Sequence, residues 1–256
     1  MSKNKIKLSA LLITYNEVLH IEEVLKNLSF TDEVIVIDSF STDGTIEIIK
    51  KFPNVELIQR PFINFTDQKT YALNQASNDW ILFLDADERV TESLKKEILN
   101  TINDSKKKIV AYYFYRTFMF KNRTLRFSGW QSDKNYRLFK KSKVHFDSSK
   151  IVHETLIVNG KSDVFKNKLI HYSYKDYNDY KNKMIKYGKM KAKEEFDKNK
   201  KAHFYHFIFR PLYKFVNHYI LRLGFLDGIK GIKICYLNAL GVYSRYKELK
   251  RLNSLH

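Results

Sequence analysis

The sequence predicts an α/β fold: a mostly parallel sheet flanked by helices, with a helical, basic and aromatic C-terminal extension. Three observations carry this. The run Trp80-Ile81-Leu82-Phe83-Leu84 is apolar throughout and stops at Asp85-Ala86-Asp87, as a parallel strand does when helices cover both its faces. Strand-like and helix-like segments alternate ahead of it, which calls for right-handed βαβ crossovers. Charge is uneven: residues 1–160 carry 24 Lys+Arg against 20 Asp+Glu, and residues 161–256 carry 22 against 8.

The elements follow in order. Leu8 to Thr14 reads as a buried strand, Tyr15-Asn16 as a loop, and Glu17 to about Leu28 as a helix. Val34 to Ile37 is a second strand ending at Asp38; the turn-rich Ser39 to Thr45 then opens a helix reaching about Phe52. Val55 to Ile58 is a short third strand. Asp67 is placed to cap a helix running to about Ala76, before the strand Trp80 to Leu84. Three strands thus end in polar loops, which parallel topology gathers on one edge, where open α/β sheets bind ligands. Asp85 and Asp87 there offer hard oxygen donors to a divalent cation whose shell phosphate oxygens would complete. A solvated turn also produces Asp-x-Asp, and Asp43-Gly44 is a common turn pair.

Composition sets the outer bounds. The 256 residues leave room for one sizeable domain and an appendage. The single cysteine, Cys235, excludes an internal disulfide and suits a reducing compartment. The start of the chain is too short and mixed in its apolar part for a cleaved signal, so a cytoplasmic setting is expected. Neither Gly-x-Gly-x-x-Gly nor Gly-x-x-x-x-Gly-Lys-Ser/Thr occurs, which argues against a dinucleotide dehydrogenase and a P-loop enzyme.

Thr14-Tyr15-Asn16-Glu17, Asp38 through Thr45, and Asp85-Ala86-Asp87-Glu88, in this order and spacing, resemble a GT-A (Rossmann-like) family 2 glycosyltransferase of the lipopolysaccharide-core β-glucosyltransferase type. Phe65 to Asn74, Tyr136 to Lys141, Val152-His153-Glu154, Arg210 to Tyr213 and Gly224 to Gly228 fit the same pattern. The resemblance covers most of the chain. It implies a catalytic domain over 1–175, nucleotide-sugar binding to about 105 and the acceptor side from about 106, and an extension over 176–256. It also implies inverting transfer from a nucleotide sugar, most simply a UDP-hexose, to a lipopolysaccharide-core or lipid-linked saccharide. Asp87, helped by Asp85, would hold Mg²⁺ or Mn²⁺ across the donor diphosphate, with His153 as a further ligand. Asp38 would accept from the nucleotide base. Thr14, Tyr15, Glu17 and Asp43 would line its pocket, and Lys69 would neutralise a phosphate. Glu154 is the candidate base for the acceptor proton and Asp133 its competitor. Arg137 would hold an acceptor phosphate or close the site over the donor.

The tail carries its own expectation. Arg210, Lys214 and Arg222 are four and eight residues apart, toward one side of a helix, with Pro211 in a first helical turn. No run approaches the roughly 20 apolar residues of a membrane span. Cations interleaved with Phe, Leu and Tyr suit an anionic membrane surface, on the inner face of the bacterial inner membrane. The alternatives are a metal-dependent nucleotidyltransferase and a nucleic-acid-binding protein using the tail. The latter leaves the carboxylate loops unexplained, so no nucleic acid partner is expected.

Overall fold

The structure, a computed structural model, describes residues 6–104, 108–120, 123–130, 133–147, 155–174 and 176–255. In chain order the first half holds β1 (Leu8–Thr14), α1 (Ile21–Asn27), β2 (Glu33–Asp38), α2 (Thr45–Ile49), β3 (Val55–Gln59), α3 (Phe65–Gln75), β4 (Trp80–Asp85), β5 (Glu88–Arg89) and α4 (Glu92–Ile102). Then come β6 (Ile109–Phe120), β7 (Arg123–Leu125), β8 (Lys134–Lys140), β9 (Val144–Phe146), β10 (Leu156–Val158), β11 (Lys161–Val164) and β12 (Leu169–Tyr174). Three helices close the chain: α5 (Tyr177–Asp197), α6 (Phe204–Val216) and α7 (Gly228–Asn253).

The main sheet runs β3-β2-β1-β4-β8-β6-β12-β5, with β7 and β11 also pairing to β6. Strands β3, β2, β1 and β4 are mutually parallel, while β8 is antiparallel to both β4 and β6. The continuous apolar runs hide an alternation. Leu8, Ala10 and Leu12 of β1, with Leu82 and Leu84 of β4, face a core closed by Val24 of α1 and Leu94 and Ile98 of α4. Leu11, Ile81 and Phe83 face the other side, against Ala72 and Leu73 of α3. Both faces are covered, so both phases of the alternation are apolar.

The chain divides into two compact units: residues 1–116 with 134–171, and residues 117–133 with 172–256. The helical unit therefore begins at Tyr172 and also takes in the segment Thr117–Asp133, beyond the expected 176–256. In this second unit Phe118, Phe120 and Leu125 pack with Tyr180 of α5 and Ile234 and Leu237 of α7. Helices α5 and α7 meet backbone to backbone: a Cβ on Gly188 would stand 2.4 Å from the Gly241 carbonyl oxygen, so neither helix tolerates bulk there.

Three expectations about local structure change. The cap of α3 is Asn64, whose side chain accepts from the Asp67 N–H at 2.8 Å; Asp67 lies inside the helix and pairs with Arg60 at 2.9 Å. Helix α1 starts at Ile21 and not at Glu17, because the backbone of residues 16–18 is drawn into loop contacts described below. Pro211 lies inside α6, seven residues after its start. It withholds one helical hydrogen bond there, and the chain winds into a wider π-type turn over Asn217–Leu221.

His218 in that turn gives the second unit a pH dependence. Its Nδ1 lies 2.8 Å from the Ser128 carbonyl oxygen; a carbonyl only accepts, so Nδ1 carries the proton. Burial, reinforced by Lys214, pushes its pKa down to about 4 despite the Ser128 bond, against about 6.5 in an unfolded chain. Between those values the unfolded chain takes up a proton that the folded one refuses. Stability is therefore present above about pH 6.5 and falls as pH drops toward 4. The thermal midpoint is expected to fall between pH 7 and pH 4.5, and His218→Asn, which keeps the donor to Ser128, should flatten that fall. An unchanged pH profile in the variant would assign the effect elsewhere.

Candidate functional site

The register of the parallel strands brings three polar residues to one end of the sheet: Thr14 is paired with Asp38, and Asp85 with Ile13, one residue before Thr14. Each is at the C-terminal end of its strand, where the chain leaves the sheet and side chains can meet a ligand.

Asp38 is fully buried and organises the first half of this edge. Its Oδ1 accepts from Thr14 Oγ1 at 3.0 Å and Ser41 Oγ at 2.5 Å, and its Oδ2 from the Ser41 N–H at 2.8 Å. Thr14 is itself buried, so it orients Asp38. The loops after β1 and β2 then bind each other. Asn16 N donates to Ser41 Oγ and Thr42 N to Asn16 Oδ1, both at 2.8 Å. Glu17 N donates to Thr45 Oγ1 at 2.9 Å and Val18 N to Asp43 Oδ2 at 3.1 Å. Asp43 Oδ1 also accepts from the N–H and hydroxyl of Thr45. Asp43 is thus a loop organiser, with Gly44 supplying the left-handed conformation (φ 92°) that starts α2. Tyr15 stands exposed at the rim. Gln68 of α3 is fully buried and donates its amide to Ser39 Oγ at 3.1 Å, while its Oε1 has no partner among the described residues.

The second half of the edge is a carboxylate cluster held by cations. Arg137 of β8 is buried and reaches both Asp85 Oδ2 and, at 2.7 Å, Glu88 Oε1. Arg116 of β6 adds a 3.4 Å contact to Glu88, and the Asp85 N–H donates to Glu88 Oε2 at 3.1 Å. Glu88 pairs across the β5–β12 ladder with His171, whose Nε2 lies 3.1 Å from Asp87 Oδ2. Burial opposes the charge on Asp85, but Arg137, then Lys69, His171 and Arg116, outweigh it and hold the carboxyl well below the usual range. Burial opposes the charge on Asp87 as well, and His171 outweighs it against the repulsion from Asp85. Arg137 is raised in turn, Asp85 and Glu88 overcoming its desolvation. Both aspartates are anionic at neutral pH.

Of the residues singled out in the sequence, Thr14, Tyr15, Glu17, Asp38, Asp43, Lys69, Asp85, Asp87 and Arg137 all belong to the first unit. Arg137 differs from expectation. It is a buried holder of two carboxylates, because a strand between β4 and β6 gives its side chain only their neighbours to meet. His153 and Glu154 lie outside the described residues. Asp133 belongs to the second unit, where its N–H donates to the Trp130 carbonyl at 3.3 Å. The histidine that does reach Asp87 is His171, which no motif marked. Glu88 and Arg116 were likewise unassigned, although Glu88 stands directly beside the aspartate pair.

A family profile described as glycosyl transferase family 2 matches residues 9–166. The chain is 26% identical to the lipopolysaccharide core biosynthesis glycosyltransferase LpsC of Rhizobium meliloti (strain 1021), over 97% of this chain and 96% of LpsC. An uncharacterized glycosyltransferase of Rickettsia bellii (strain RML369-C) is 28% identical over 96% of this chain and 87% of its own length. Among solved structures, S. aureus TarS aligns with a TM-score of 0.51 at 16% identity, over 71% of this chain and 40% of TarS. That likeness is one of fold, and it bears out the α/β, GT-A reading.

Proposed function

Because the chain belongs to glycosyl transferase family 2, we propose that it moves a sugar, with inversion, from a UDP-sugar to a lipid-linked or lipopolysaccharide-core saccharide. The observation that carries the reading is that buried Asp38 and ionised Asp85 end their strands at the same end of the parallel sheet, with ionised Asp87 two residues further on. The similarity to LpsC over nearly its full length supports the acceptor class, which would place the enzyme on the inner face of the bacterial inner membrane.

The arrangement divides the work. Asp38, steadied by Thr14 and Ser41, would accept an imide N–H of the nucleotide base with its carboxylate. Gln68 brings an amide to the neighbouring Ser39. Asp85 and Asp87 would hold Mg²⁺ or Mn²⁺, and the donor chemistry fits: two ionised carboxylates backed by cations, suited to an ion whose remaining ligands are phosphate and water. Among the described residues no group of three or more His, Cys, Asp or Glu side chains is placed to hold a metal ion. When bound, such an ion offsets charge growing on the departing diphosphate. Lys69, whose charge already bears on Asp85, adds to the same positive field. The acceptor proton is assigned to Glu154, with Asp133 as its competitor.

Calorimetric titration of the chain with UDP, with and without Mn²⁺ and with GDP as control, tests the reading. Binding is expected to need metal and to favour UDP. Asp38→Asn, which keeps the side chain's size, should weaken UDP about tenfold or more through the loss of one charged acceptor. Failure of both nucleotides to bind under either condition would remove the donor assignment.

A further inference from the structure

Helix α6 carries His206, Arg210 and Lys214 along one side, and much of its apolar remainder is left unpacked. Phe207 meets Tyr243 edge-on at 6.0 Å and His206 stacks on Tyr246 at 4.5 Å, both against α7. The opposite face presents Phe204, Ile208, Phe209, Leu212 and Tyr213 at a spacing of four, five, eight and nine residues, one continuous stripe of the helix. Phe204 is 80% exposed and Phe209 and Tyr213 are each 65% exposed. Beyond the helix Leu221 and Ile229 are also exposed, at 69% and 76%. Soluble surfaces rarely carry a contiguous apolar area of this kind without something to cover it.

Charge identifies the cover. From Lys198 to Leu226 the chain holds no Asp or Glu, while Lys198, Lys200, Lys201, Arg210, Lys214 and Arg222 supply six cations. A second copy of the chain, itself at +18, would bring like charge to the same place. An anionic lipid surface brings the opposite charge and an apolar interior together. Among the described residues no helix is long and apolar enough to cross a membrane, so the contact is made in the plane of the interface.

We propose that the outer face of α6 is a bilayer-docking surface: Phe204, Phe209, Leu212 and Tyr213 enter the boundary between headgroups and acyl chains, and the flanking cations rest on lipid phosphates. The inference takes from the functional reading only the expectation of a lipid-linked acceptor. The apolar groove of about 530 Å³ between Phe215, Ile232, Tyr236 and Tyr177 of the same unit, with Lys233 at its side, would lie at the same level.

The test is sedimentation of the full chain with vesicles of phosphatidylcholine alone or mixed with phosphatidylglycerol. The chain is expected to bind the anionic vesicles at least about tenfold more tightly, and to release them as added salt screens the cations. The triple variant Phe209→Glu, Leu212→Glu, Tyr213→Glu alters only exposed side chains. It should lose that binding about tenfold or more while keeping its thermal midpoint and its UDP affinity. Undiminished vesicle binding by the triple variant, or equal binding to neutral vesicles, would overturn the proposal. So would a wild-type dimer that the variant turns into monomers, which would make the stripe a contact between copies. Loss of UDP binding with vesicle binding intact would count against the donor site and leave this surface standing.

Discussion

Arg137→Ala is expected to lower folding stability by about 3–5 kcal/mol, the usual cost of stripping one partner from a buried ion pair. The argument rests on what remains. Glu88 is fully buried and would keep, among the described residues, Arg116 at 3.4 Å and the Asp85 N–H at 3.1 Å. Asp85, its side chain about a third exposed, would lose the cation that does most to hold it ionised. Two carboxylates would then face each other at the end of β4 with less compensation, and one would have to take up a proton or draw in water. Arg137→Lys should recover part of the loss, since an ammonium keeps the charge but not the planar fork that spans both acids. Urea unfolding of the three proteins measures this directly. A loss below about 1 kcal/mol would mean that solvent already supports the pair, as in an exposed salt bridge.

Asp87→Asn is the complementary case, with function lost and fold kept. The side chain of Asp87 is 23% exposed, and its described partner is His171 at 3.1 Å. An asparagine carbonyl can accept the same bond, so stability should change little. Transfer, in contrast, should fall on the order of a thousandfold or more, because several kcal/mol of leaving-group stabilisation correspond to that factor. Product formation from a UDP-sugar, with UDP affinity measured in Mn²⁺, separates chemistry from binding. Activity within about tenfold of the native chain would remove the metal role from Asp87.

The half of the site contributed by β1, β2 and β4 was legible because strand ends are written plainly. Each apolar run breaks at a polar residue, and parallel pairing then brings Thr14, Asp38 and Asp85 to one end of the sheet. The cationic half was not. His171 reaches Asp87 across 84 residues of sequence, from a strand whose composition carries no signature, and Arg116 comes from the middle of the long β6. Strand pairing alone brings them together. Arg137 was read as a ligand contact from the resemblance of its segment; its burial on β8, an interior strand between β4 and β6, was not legible in the sequence. At α3 the sequence reading put the cap at Asp67, whereas the structure puts it at Asn64, three residues earlier. The close approach of Gly188 to Gly241 is visible only once α5 and α7 are side by side.

The cross-bonded loops after β1 and β2 have an energetic meaning for whatever enters between them. Asn16, Val18 and Glu17 spend their backbone N–H groups on Ser41, Asp43 and Thr45, so the entropy of ordering this rim is settled when the chain folds. On the proposed reading, an incoming nucleotide would meet a finished mould, and its affinity would not be diluted by the work of shaping the protein. Differences between one base and another would then be expressed in full. A rigid rim of this kind would make the edge a discriminating reader, and would make Ser41, Asp43 and Thr45, which form that mould from behind, determinants of selectivity.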